Sequence, residues 1–214
     1  MVDICIFPIP ECVTFPGTVF PLHVFEPRYR AMIQHCLDNQ LPVAICHTRK
    51  MIHAAPVYQS STEALQSNQA TYQPFEIFSA GRCELVRSLP DGRLYLNVHL
   101  RQRYRMVAEK QTLPYRVFEC EPFQDIEPDE NEQNLNRELQ DKIVHRLQAL
   151  AFRHPELEVG FAPDEWLAKD VHTFSFQLFG LVSFGADLQQ EILEMNSIHQ
   201  RLQRALELLN SIDY

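Results

Sequence analysis

The chain opens with apolar, strand-like runs cut by prolines, and that pattern leaves it few ways to fold. Ile6-Phe7-Pro8-Ile9 is followed by Phe15-Pro16-Gly17, then by Val19-Phe20-Pro21-Leu22-His23-Val24-Phe25 and Glu26-Pro27-Arg28-Tyr29. Proline removes a backbone donor and fixes φ, so within a sheet it is confined to ends, edges and bulges. The segment therefore predicts strand, turn and strand, then a helix starting near Pro27, where the missing N–H has no partner to lose. Over residues 27–39, Tyr29, Met32, Ile33, Cys36 and Leu37 recur at the spacing of one apolar helical stripe. That stripe is expected to pack on the sheet and plug one end of a barrel.

Further strands are expected at residues 43–47, 75–89, 93–100, 104–108 and 115–123, which are rich in β-branched and aromatic residues. Leu89-Pro90-Asp91-Gly92-Arg93 reads as a hairpin turn, with proline presetting the first position and Gly92 free to adopt a left-handed conformation. Residues 60–73 are polar and aperiodic, as a long surface loop would be. The composition shifts at Asp125. Ile126-Glu127-Pro128-Asp129-Glu130 reads as a charged linker, and the remainder of the chain reads as helical.

Leu135, Leu139, Ile143, Leu147 and Leu150 predict one amphipathic helix ending near His154-Pro155. A second is expected over residues 169–184, with Phe174, Phe176 and Phe179 on it and Gly185 as its C-terminal cap. Asp187 and Gln190 suit a capping box for a last helix whose core face is Leu188, Ile192, Met195, Leu202, Leu206 and Leu209. His199 interrupts the heptad-like spacing, which favours burial within the chain over a dimeric coiled coil. The expectation is an α+β protein with a β-rich domain at 1–125 and a helical one at 126–214.

Composition narrows the function. A formal charge of −9 argues against broad phosphate binding. Arg82, Arg87, Arg93, Arg101, Arg103, Arg105 and Arg116 nevertheless concentrate in one segment, so a local basic face is the remaining route to nucleic acid. Cysteines 5, 12, 36, 46, 83 and 120 contain no Cys-x-x-Cys pair, and no metal site is expected; free buried thiols in a reducing compartment are. No apolar run approaches the ~18 residues a membrane span needs. The Met1-Val2-Asp3-Ile4 start has no basic n-region, so a cytoplasmic location is expected.

Catalytic patterns are missing too. Gly180 to Gly185 has half the P-loop spacing but continues as Ala186-Asp187, without the lysine that reaches a phosphate. Lys50, Lys110, Lys142 and Lys169 lie outside any context that would set an amine beside an exposed serine, and there is no Gly-x-Ser-x-Gly elbow. The neighbours Cys46-His47 and His35-Cys36 read as chance juxtapositions. The acidic runs Glu119/Glu121/Asp125 and Asp129/Glu130/Glu132 read as solvated faces. No catalytic residue and no cofactor is expected.

The opening motif, Phe7-Pro8, Phe15-Pro16-Gly17, Pro21-Leu22 and Phe25-Glu26-Pro27-Arg28-Tyr29, resembles the start of the Lon protease N-terminal (LON, substrate-binding) domain. A second block resembles that family's glycine-led strand, hairpin and arginine-bearing strand: Ala80-Gly81-Arg82-Cys83-Glu84-Leu85, Leu89-Pro90-Asp91-Gly92-Arg93, Arg103-Tyr104-Arg105, Pro114-Tyr115 and Glu121-Pro122. Where the family often has a glycine before the arginine-bearing strand, this chain has Leu100, which puts a local bulge in doubt. Gln200-Arg201-Leu202 is similar to the family's closing helix.

The resemblance implies a PUA-like pseudo β-barrel beside a C-terminal helical bundle. It also implies a stand-alone, non-catalytic module that binds unfolded or partly unfolded polypeptide, as an adaptor or regulator of protein quality control. On this reading Phe20, Phe25, Glu26, Arg28 and Tyr29 are the expected contact residues. Core packing competes for Phe25 and Tyr29, and helix capping for Glu26. The alternative is a PUA-like RNA-binding module using the arginines of residues 82–116.

Overall fold

Two strands account for apolar runs that do not alternate. β1 (Val2–Pro8) and β3 (Val43–Cys46) pair in parallel, with Cys5 opposite Val43 and Pro8 opposite Cys46. Both lie between two cores, so neither has a solvent face for polar residues to mark. Ile4, Ile6, Ala44 and Cys46 join Phe78, Phe118 and Cys120 in one core, while Cys5, Phe7, Val43 and Ile45 enter the other. The computed structural model describes residues 1–56, 63, 67–153, 162–182 and 184–212.

β2 (Thr18–Val24), β6 (Ile77–Ser88), β7 (Leu94–Gln111) and β8 (Val117–Pro122) complete one mixed sheet, ordered β2-β7-β6-β3-β1-β8. β7 also pairs with β8, so five strands close into a ring, and β2 extends the sheet beyond it. That edge position is what lets Pro21 sit inside a strand. β4 (Thr48–His53) and β5 (Thr71–Pro74) form a separate ribbon. Residues 71–73, expected in a loop, belong to β5; residues 57–62 and 64–66 of that stretch and its approach lie outside the described residues.

The two strands expected at 93–100 and 104–108 are one, because a single-residue bulge joins them. Ala80 pairs with Gln102 but Gly81 pairs with Leu100, leaving Arg101 as the extra residue. One extra residue turns every later side chain to the opposite face. Leu96, Val98 and Leu100 accordingly enter the first core, and Tyr104 and Met106 pack on the second. The glycine missing at Leu100 is supplied across the ladder. A Cβ on Gly81 would lie 1.7 Å from the His99 carbonyl oxygen. The expected hairpin is present: Gly92 has φ 86°, and its N–H donates to Leu89 O at 2.9 Å.

α1 (Pro27–Asn39) buries Tyr29, Met32, Ile33 and Cys36, as its stripe requires, and ends on Gln40 in the left-handed region at φ 55°. The later helices are α2 (Glu130–Arg153), α3 (Pro163–Leu167), α4 (Val171–Gln177) running into a 3-10 turn (Leu178–Gly180), α5 (Ala186–Glu194) and α6 (Ile198–Ser211). Asp170 starts α4, accepting from Thr173 N at 2.9 Å.

The single final helix expected from Asp187 is instead two. Ser197 caps α6 by accepting from Gln200 N, and Asn196 O accepts from Ile126 N at 2.8 Å, so residues 195–197 serve contacts that a continuous helix would forbid. α5 begins at Ala186, so Asp187 already lies inside it and is not the N-cap that a capping box with Gln190 requires; Gln190 Nε2 donates to Ile77 O at 2.9 Å. Gly185 opens α5, where its carbonyl accepts from Gln189 N, and does not close the helix before it.

The chain divides into two compact units, residues 1–123 with 184–193, and residues 124–183 with 194–214. Residues 184–193 belong to the sheet-bearing unit. In the helical unit Arg201 is fully buried. Its Nη1 donates to Asp125 Oδ1 at 2.7 Å and to Met195 O at 2.9 Å; its Nη2 bonds Asp125 Oδ2, and Nε reaches Ser175 Oγ at 3.2 Å. The guanidinium lies 4.0 Å from the centre of the Phe176 ring.

Candidate functional site

The first turn of α1 is tied to the segment before β5. Glu26 occupies the N-cap position but makes no side-chain cap bond. Its Oε2 instead accepts from Gln69 N at 2.8 Å and from Arg28 Nε at 2.9 Å. Arg28 Nη1 donates to Thr71 Oγ1 at 2.9 Å and Nη2 to Ala70 O at 2.8 Å, while its backbone N–H donates to Asn68 Oδ1 at 3.2 Å. With side chains only 9 % and 12 % exposed, Arg28 and Glu26 form a shielded pair that fixes residues 68–71 against the helix. The capping role weighed for Glu26 is thus replaced by this bridge.

Tyr29 is buried, stacked on Phe7 with centroids 4.2 Å apart and covered by the Arg28 guanidinium at 4.5 Å. Burial pushes its phenol up to about 12 from 10.0. Because the unfolded chain then releases this proton first, stability is full below pH ~10 and falls as pH rises toward ~12, by about 2–3 kcal/mol in all. Urea unfolding at pH 9 and pH 11 checks this: Tyr29→Phe should lose less stability between the two than the parent, and an equal loss would contradict it. Phe25 is half-buried, 5.9 Å from His23, which stacks on Tyr95 at 4.4 Å. Phe20 packs against the first core.

Two clefts flank Arg28 and Tyr29, each of about 330 Å³, and both are also walled by Pro8 and Tyr72. The first reaches Leu22, His23, Phe25, Glu26 and Ala70. The second reaches Ile6, Ile52, His53 and the β7–β8 connection at Leu113, Tyr115 and Arg116. Four of the five residues expected at the site therefore meet here: Phe25, Glu26, Arg28 and Tyr29 line the first cleft, and Phe20 does not. Sequence reading missed Ile52, Tyr72 and Leu113, and named Arg116 only within the arginine-rich segment. The nearest signal was Pro114-Tyr115 of the second family block, and the adjoining Leu113 is 80 % exposed.

Among the described residues no group of His, Cys, Asp and Glu is arranged to hold a metal ion. Burial pushes the thiols of Cys12 and Cys120 up to about 11 and about 12, and that of Cys46 up as well, away from the thiolate a nucleophile needs. Cys5 moves down through a hydrogen bond with Cys36, but it is fully buried. Among the arginines of residues 82–116, Arg103 and Arg105 both lie over the Phe123 ring, at 4.7 and 4.6 Å. Arg103 is buried and donates to Leu193 O at 2.6 Å, while Arg93 pairs with Asp91, Arg105 with Glu121, and Arg116 with Glu109. No helix among the described residues is long and apolar enough to cross a membrane.

Comparison with known proteins agrees with the opening motif. The sequence matches the family model of the ATP-dependent protease La (LON) substrate-binding domain over residues 3–211. The fold is similar to a crystal structure of a Lon N-terminal domain protein from Xanthomonas campestris, with TM-score 0.59 and 18 % identity over 97 % of this chain and 98 % of that one. It is also similar to the N-terminal domain of Mycobacterium avium complex Lon protease, with TM-score 0.67 and 14 % identity over 97 % and 98 %. No curated protein matches the sequence.

Proposed function

The chain belongs to the LON substrate-binding family, and from that premise we propose that it holds unfolded or partly unfolded polypeptide in the two clefts beside Arg28 and Tyr29. The observation that carries the reading is the placement of the family's Phe-Glu-Pro-Arg-Tyr motif between two clefts with largely apolar walls. Tyr72, Tyr29, Pro8 and Ile52 offer rigid, low-entropy surface to an extended segment's side chains, and Leu113 stands exposed at the rim. The Arg28–Glu26 bridge keeps the wall between the clefts preformed, so little ordering is needed on binding. The module adds no reaction of its own, and as an adaptor it would present the held segment to a separate enzyme.

Titration with a reduced, alkylated model protein tests the proposal. Micromolar binding is expected, and Leu113→Ser should weaken it about tenfold, the loss of one buried leucine side chain. Unchanged affinity in that variant, or no binding at tens of micromolar, would contradict the reading. Single-stranded RNA is expected not to compete, since Arg103 is buried and Arg93, Arg105 and Arg116 are each paired with a carboxylate.

A further inference from the structure

The second cleft is unusual for an acidic chain. Its lining contains two arginines and a histidine, Arg28, Arg116 and His53, and no carboxylate. Arg28 is occupied by Glu26, Thr71 and the backbone of residues 69 and 70. Arg116 is not fully used. Its Nε donates to Glu109 at 2.7 Å and its guanidinium lies 4.8 Å from the centre of the Phe118 ring, but its buried Nη1 has no hydrogen-bond partner among the described residues. A shielded guanidinium N–H without an acceptor is costly, and the part of the Arg116 side chain that remains exposed carries its charge to the cleft it lines.

Resting on the polypeptide-holding reading above, we propose that the second cleft selects segments in which a bulky apolar side chain is followed closely by an aspartate or glutamate. The apolar group packs between Tyr72, Ile52 and Leu113, and the carboxylate answers Arg116. Glu109 takes the Nε edge of the guanidinium, and the Arg116 side chain as a whole stays 21 % exposed. Charge complementarity sets the occupant: among cleft-lining groups the only fixed charges are positive.

Three peptides, acetylated and amidated so that no terminal carboxylate remains, decide the matter. Each carries a leucine-phenylalanine pair followed by aspartate, asparagine or lysine. The aspartate peptide is expected to bind about tenfold tighter than the asparagine one and tighter still than the lysine one. Arg116→Gln should reduce the aspartate preference to within about twofold, and Arg116→Lys should restore part of it. Leu113→Ser, at an exposed position, should weaken all three peptides alike. Equal binding of aspartate and asparagine peptides by the parent protein, or a preference that survives Arg116→Gln, overturns the proposal while leaving polypeptide holding intact. Failure of all three peptides together with the alkylated model protein overturns both. Should Arg116→Gln fail to fold, the comparison of the three peptides on the parent protein still decides.

Discussion

Arg201→Ala is expected to lower the stability of the helical unit by about 3–5 kcal/mol, the loss typical when one partner of a buried ion pair is removed. The arginine is fully buried and its fork engages both oxygens of Asp125, whose side chain is 8 % exposed. Truncation removes the arginine's bonds to that carboxylate and to Ser175 Oγ, takes the cation from the Phe176 face, and opens a cavity. His172 Nε2 lies 3.4 Å from Asp125 Oδ2, but its half-exposed ring offers a single, solvent-screened contact in place of the buried fork. Trp166 is the only tryptophan of the chain and belongs to this unit, so its fluorescence during urea unfolding reports the change directly. A loss below about 1 kcal/mol would mean that the network is peripheral to the unit's stability. Combining Arg201→Met with Asp125→Leu should recover much of the loss, since a well-packed apolar pair carries no desolvation cost.

Gly81→Ala is expected to be as damaging to the sheet-bearing unit, by about 3 kcal/mol or more, through a different cause. The new methyl group would meet the His99 carbonyl at 1.7 Å, and the atom in the way is backbone in the paired strand, which cannot swing aside. Relief requires opening the β6–β7 ladder at the bulge, where the two cores exchange faces. Gly180→Ala is the control: nothing lies within 4 Å of the added carbon, and the change is expected to stay within about 0.5 kcal/mol. Calorimetric melting of the two variants separates them. Equal melting temperatures would refute the close approach at Gly81.

How much of this was legible in the sequence depended on how local the signal was. The 89–93 hairpin and the helix from Pro27 were readable because proline and glycine act within their own turn, and because five apolar residues kept helical spacing. The continuity of β7 was hidden, since a bulge at Arg101 breaks the alternation and mimics a strand end. β4 went unseen because Thr48-Arg49-Lys50-Met51-Ile52-His53 is mostly exposed and pairs only with β5, so burial never imposed a period on it. The break at residues 195–197 was masked by apolar spacing that carries across it, while the decisive partner, Ile126, lies some seventy residues earlier. The site divided in the same way. Phe25, Glu26, Arg28 and Tyr29 sit in one contiguous motif and were found together, but the roles of Glu26 and Arg28 depend on residues 69–71, and Tyr72, Leu113 and Arg116 reach the second cleft from distant segments.

Hydrogen exchange of the full chain, with and without an excess of the reduced, alkylated model protein, tests the central claim most directly. Slowed exchange is predicted in the backbone around Ile52 and His53, Thr71 and Tyr72, and Thr112 to Arg116, with the helical unit unchanged. Protection confined to the helical unit, or absent at these three segments while the polypeptide is demonstrably bound, would contradict it.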